Sequence, residues 1–135
     1  CGADGVHVGQ KDMQAQNVRE KLGKDKIIGV SAQTVEQAIL AEKNGADYLG
    51  VGAVFTTSTK KDADFVSYNT LKEICNVVSI PVCAIGGIYD YNIKNLSGTG
   101  IDGVAVVSAI FSQKDIKKAS EKMLALFKEM VGLWI

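Results

Sequence analysis

Five short runs of apolar and glycine residues, separated by helical patterns, limit this chain to a small set of architectures. The runs are Gly5–Gly9 (GVHVG), Ile27–Ser31 (IIGVS), Tyr48–Phe55, Pro81–Ile85 (PVCAI) and Gly103–Ser108 (GVAVVS). They are β-branched and nearly continuous in apolar character, the pattern of strands covered on both faces in a parallel sheet. Thr34 with Gln37 three residues on forms a capping box that opens a helix, and Gly45 closes it. Asp90 is the expected N-cap of a segment running through Leu96, with Gly98 beyond. Ile116, Ala119, Met123, Phe127 and Met130 form a stripe at helical spacing between lysines and glutamates. A strand followed by a helix, five times over, predicts an α/β fold with right-handed crossovers.

A weak repeat agrees with this order. GADGVHVG, GADYLGVG and GIDGVAVV each set Gly-x-Asp just before a strand. The reading is structural: the glycine ends a helix in a left-handed conformation and the aspartate turns the chain into the strand. Functional groups are then expected at the opposite, carboxyl ends of the strands, where parallel α/β folds bind ligands.

Those ends share a character. Gln10, Lys11 and Asp12 follow the first run, and Ser31 ends the second. The third stops at Thr56, Thr57, Ser58 and Thr59, then Lys60, Lys61 and Asp62; Gly86-Gly87 follow the fourth, and Ser108 ends the fifth. A plain connection favours Gly, Pro, Asn and Asp, whereas hydroxyls, lysines and glycine-exposed backbone N–H groups suit phosphate. A carboxylate beside them suits a hard divalent cation. Taken singly, Gly86-Gly87 is equally a tight turn, Asp12 equally a helix N-cap, and Lys60-Lys61 a solvated pair. Their convergence at one end of successive βα units predicts a phosphate site. His7, the one histidine, is expected to be a hydrogen-bonded interior residue, and Tyr89 and Tyr91 to be surface aromatics.

At 135 residues with 15 basic and 15 acidic side chains, the chain is one domain's worth with no charge bias toward nucleic acid. No apolar run reaches bilayer length, and no signal peptide is legible. Cys1, Cys75 and Cys83 lack metal or redox spacing, which favours reduced thiols and a cytoplasmic setting, with Cys75 and Cys83 as small core residues. The chain opens on CGADGV, close to a strand, and is read as a fragment.

GADGVHVGQKD, IIGVSAQT, GADYLGVGAVFTTSTKKD, IPVCAIGGI and GVAVVSAI closely resemble the thiamine phosphate synthase (thiamine-phosphate pyrophosphorylase) family, from Gly2 to about Phe111. The resemblance implies a (β/α)8 TIM barrel of which residues 1–135 are the C-terminal part, like strands four to eight, without the first three units. It implies that hydroxymethylpyrimidine diphosphate and thiazole phosphate, or its carboxylate, are joined to give thiamine phosphate and pyrophosphate. By the same resemblance Asp12 is one Mg²⁺ ligand, and Ser31 and Lys60 are the catalytic contacts to the diphosphate. Thr57, Thr59, Gly87, Val107 and Ser108 become contacts to the thiazole phosphate. A second metal aspartate and a basic cluster would belong to the units this chain lacks. An N-terminal segment or self-association is therefore expected to cover the sheet, and the chain alone to be nearly inactive. Two other readings stand beside this one. A related thiazole tautomerase would have a histidine where this chain has Gln33, and a non-catalytic phosphate-binding fragment would have no Mg²⁺-dependent pyrophosphate release.

Overall fold

The computed structural model describes residues 1–56 and 65–133. The elements are β1 (Gly5–Val8), α1 (Ala15–Leu22), β2 (Ile27–Ala32), α2 (Val35–Lys43), β3 (Tyr48–Val51), α3 (Tyr68–Val77) and β4 (Val82–Ile85). A short 3-10 helix (Ile93–Leu96), β5 (Gly103–Ala105), α4 (Ser108–Phe111) and α5 (Ile116–Met130) complete them. Among the described residues the strands form one sheet in chain order, β1-β2-β3-β4-β5, with each neighbouring pair parallel. No helix there is long and apolar enough to cross a membrane.

The helices cover one face of this sheet. Ile28, Leu49, Val51, Val82 and Ala84 project into that layer against Ala38, Ala41, Leu71, Ile74, Ile93 and Met123, all buried. Residues of opposite parity point away: His7, Gly29 and Tyr48 lie in register across three strands, and Ser31, Gly50, Cys83 and Gly103 continue the same face. Among the described residues that second face carries no helix, so there the expectation of strands covered on both sides holds for one side only.

Local chemistry explains the element ends. Thr34 caps α2 by accepting from the Gln37 N–H at 3.2 Å, and the Gln37 side chain accepts from the Gln33 N–H at 2.8 Å. Gly45 follows at φ +90°, the left-handed step a helix end favours. Two expectations are corrected here. The third strand stops at Val51 rather than Phe55, although the Val54 and Phe55 N–H groups still reach the carbonyls of Ile85 and Gly86. Asp90 caps nothing: Asn92 occupies the N-cap position, while Asp90 pairs with Lys122 on α5. The expected stripe does form a helix, α5, over Ile116–Met130, with Met123 buried and Ile116 at its start 47% exposed.

The Gly-x-Asp repeat has a definite structural use. Asp47 Oδ2 accepts from the Ile28 N–H at 2.7 Å, and Asp102 Oδ2 accepts from the Val82 N–H at 2.8 Å. Each aspartate thus holds the start of the strand beside its own. Arg19 reinforces the first case, donating to Asp47 and to the carbonyls of Gly23, Lys26 and Gly45.

Candidate phosphate site at the strand carboxyl ends

The candidate residues fall into two groups. The first lies after β1 and β2. Asp12 is not a helix N-cap, since that position is held by Gln14; instead its Oδ2 accepts from the Gly9 N–H at 2.7 Å, folding the loop on itself. Gln10 Nε2 donates to the Ser31 carbonyl at 2.7 Å, tying this loop to β2. Ser31 Oγ lies 2.9 Å from His7 Nε2, and His7 Nδ1 lies 2.9 Å from the Tyr48 hydroxyl. His7 is therefore hydrogen-bonded, as expected, but exposed rather than interior, because it points to the face without helices. Its ring has room through two glycines. A Cβ on Gly29 would collide with Tyr48 and His7, and one on Gly50 would sit 3.1 Å from His7 Cε1.

The second group lies after β4 and β5. Gly86 and Gly87 have φ of +99° and +66°, and a Cβ on Gly87 would stand 2.5 Å from the Thr56 carbonyl oxygen. Their turn thus packs against the segment leaving β3. Asn92 braces it, donating to the Gly87 carbonyl and accepting from the Tyr89 N–H, each at 2.8 Å. Ser108 opens α4 rather than ending β5, and its hydroxyl lies 2.6 Å from that of Tyr89. Tyr89 is consequently part-buried, a correction to its expected surface role, whereas the Tyr91 ring stacked on it is 78% exposed. Val107 precedes α4 and is also exposed. Thr57, Thr59 and Lys60 lie outside the described residues.

Sequence reasoning passed over Tyr48, Asn92 and the bond between Tyr89 and Ser108. Parity offered a signal for the first: His7 and Ser31 share a face, and so do Tyr48 and Gly50 one strand over.

Among the described residues no group of three or more His, Cys, Asp or Glu side chains could hold a metal. A magnesium ion commonly takes one or two carboxylates and completes its shell with water and phosphate oxygens. The exposed Asp12 fits that part as one ligand of a phosphate-bound ion. Two of the cysteines are held as thiols: burial, helped by nearby Asp102, pushes Cys75 up to about 11, and burial raises Cys83 as well.

The family model described as thiamine monophosphate synthase matches residues 1–110. A thiamine-phosphate synthase from Ruminiclostridium cellulolyticum is 62% identical over 126 residues, 93% of this chain and 60% of that protein. One from Clostridium tetani is 54% identical over 127 residues, 94% of this chain and 61% of that protein. A solved thiamine phosphate pyrophosphorylase from Pyrococcus furiosus superposes with a TM-score of 0.87 at 42% identity, over 96% of this chain and 62% of that one. The chain thus spans about three-fifths of the length of the relatives it matches.

Proposed function

The chain belongs to the thiamine monophosphate synthase family, and we propose that it forms five of the eight βα units of a barrel synthase. In this reading residues 1–135 are the C-terminal part of a single domain. The reaction joins hydroxymethylpyrimidine diphosphate to thiazole phosphate or its carboxylate. The carbon–oxygen bond between the pyrimidine methylene and the diphosphate breaks, with the ring amino group supplying electrons. The thiazole nitrogen then bonds to that methylene, giving thiamine phosphate and pyrophosphate, with the carboxyl group leaving as CO2 when the carboxylate is the substrate.

This chemistry calls for no side-chain nucleophile. It calls for donors fixed where negative charge grows and for two substrates held in contact. Ser31 donates to the departing diphosphate and Lys60 balances its charge. Gly87, Val107 and Ser108, with Thr57 and Thr59, hold the thiazole phosphate. Asp12 is the residue that would hold Mg²⁺, which when bound neutralises charge on the diphosphate oxygens.

The observation that carries the reading is the convergence of Asp12, Ser31, Gly87 and Ser108 at the carboxyl end of one parallel sheet. The opposite end supports the missing units. Asp47 and Asp102 each hold an N–H near the start of a neighbouring strand. Asp4 stands in the same Gly-x-Asp setting before β1, the edge strand. A further parallel strand laid along β1 would present its own N–H to Asp4.

The test is an assay of a protein in which three βα units precede these residues. With both substrates and Mg²⁺ it is expected to release pyrophosphate and form thiamine phosphate. Ser31→Ala should lower kcat at least about tenfold, and the 135-residue chain alone should show little turnover. No pyrophosphate release from the eight-unit protein would overturn the proposal.

A further inference from the structure

The hydrogen bonds on the sheet's open face have a direction that the substrate assignment alone does not supply. His7 bridges Tyr48 and Ser31 with both ring nitrogens at 2.9 Å from a hydroxyl oxygen. Its ring is tilted 42° from that of Tyr48 with centroids 5.5 Å apart, so the Nδ1 contact, not ring stacking, joins the two. A neutral imidazole has one donor and one acceptor nitrogen, and two orders of donation are therefore possible. In one, Ser31 gives its proton to Nε2 and the Nδ1–H points at Tyr48. Ser31 would then meet a ligand with lone pairs, which repels an anion. In the other, Tyr48 O–H donates to Nδ1 and Nε2–H donates to Ser31 Oγ. The Ser31 hydroxyl proton is then left for the ligand.

We propose that Tyr48 and His7 are positioning residues that hold Ser31 as a hydrogen-bond donor toward an anionic phosphate oxygen, through the ordered series Tyr48 O–H to Nδ1 and Nε2–H to Ser31 Oγ. The series deepens the proposed function and rests on it for the identity of the anion. Its architecture rests on residues of this chain. Tyr48, Gly29 and His7 lie in register on three adjacent strands. Only a residue without a side chain at Gly29 lets the two rings meet above the sheet, since a Cβ there would strike both. Polarisation along consecutive hydrogen bonds strengthens the terminal donor, and a hydroxyl whose acceptor side is already engaged is held with its proton outward.

The chain's single histidine makes the order measurable. Histidine-selective ¹⁵N labelling and long-range proton–nitrogen correlation spectra at neutral pH should show the Nε2–H tautomer. The Nδ1–H tautomer, or protonation of both nitrogens, would overturn the proposal whether or not the chain binds substrate. Pyrophosphate with Mg²⁺ then probes the coupling. Tyr48→Phe and Ser31→Ala are each expected to weaken its binding about three- to tenfold, the size of one hydrogen bond. The double variant should lose little beyond either single one, because both interrupt the same series. Additive losses would overturn the relay. Absence of pyrophosphate binding in the unsubstituted protein would instead overturn the site reading and leave the tautomer result to decide the relay. Should Tyr48→Phe fail to fold, the tautomer of the unsubstituted protein still decides.

Discussion

Gly29 and Gly103 lie on the same open face of the sheet, yet they tolerate a methyl group very differently. A Cβ at Gly29 would collide with both Tyr48 and His7, whereas at Gly103 the nearest neighbour is Cys83 Sγ at 3.8 Å, an ordinary contact. Neither has the positive φ that would strain an alanine. Gly29→Ala should therefore destabilise the chain by about 1–3 kcal/mol through overpacking, and Gly103→Ala should change stability by less than about 0.5 kcal/mol. Urea unfolding at fixed protein concentration measures both; equal effects would show that the two rings yield freely. Single residues also mark where sequence reading reached its limit. The alternation of β1 shows that His7 points away from Val6 and Val8. It cannot show whether anything covers that side, so a hydrogen-bonded but exposed histidine was half legible. Tyr89 was misjudged for a related reason: its partner, Ser108, lies 19 positions on, beyond any local pattern.

Elements meet at Asp47, which joins α1 to the starts of β2 and β3. Burial opposes its charge, but the Ile28 N–H and the Arg19 guanidinium outweigh that and hold the carboxyl below the usual aspartate range. Because the folded value is depressed, the stabilisation is full above the ordinary aspartate value and is lost as pH falls through the lowered one. Glu42, bonded by Ser79, and Asp90, bonded by Lys122, are lowered too and act in the same direction. The difference between the chain and its Asp47→Asn variant isolates Asp47. That difference should be constant near neutrality and shrink steadily in acid, modestly because the pair is partly solvated. Denaturant midpoints across the acid range check it, and a gap that widened on acidification would contradict the sign. At this scale the sequence was most informative: the five runs all became parallel strands, and the Thr34–Gln37 box formed with the glutamine turning back to Gln33. Boundaries were less legible. Residues 52–55 are apolar because they pack beside the Gly86-Gly87 turn, and their hydrogen bonds to β4 continue outside regular strand geometry. Asp90 has the right residue type for a cap, but the cation on α5 claims it.

At the largest scale the decisive feature is the sheet face that the helices among the described residues leave bare. β1 and β5 are edges, and apolar side chains crowd near them: Ile27 is 53% exposed, Val6 and Leu22 39% each, Ile85 42%, Val107 59% and Phe111 69%. Unpaired strand edges beside apolar surface form a template for another chain. The order of the strands and their parallel pairing were visible from the five runs, since these depend on local pattern. Whatever covers the open face leaves no periodic trace in this chain, because a strand records only which way its side chains point. The 135-residue chain in isolation is therefore expected to self-associate, with a sedimentation-derived mass above the monomer value that rises with concentration, and to bind a hydrophobic dye. A polypeptide supplying three preceding βα units should lower the dye signal, return a single defined species and protect the β1 amide groups from hydrogen exchange. A monodisperse, dye-silent monomer of the chain alone would mean that five units close their own surface, and the barrel-fragment reading would then fail together with the synthase site built on it.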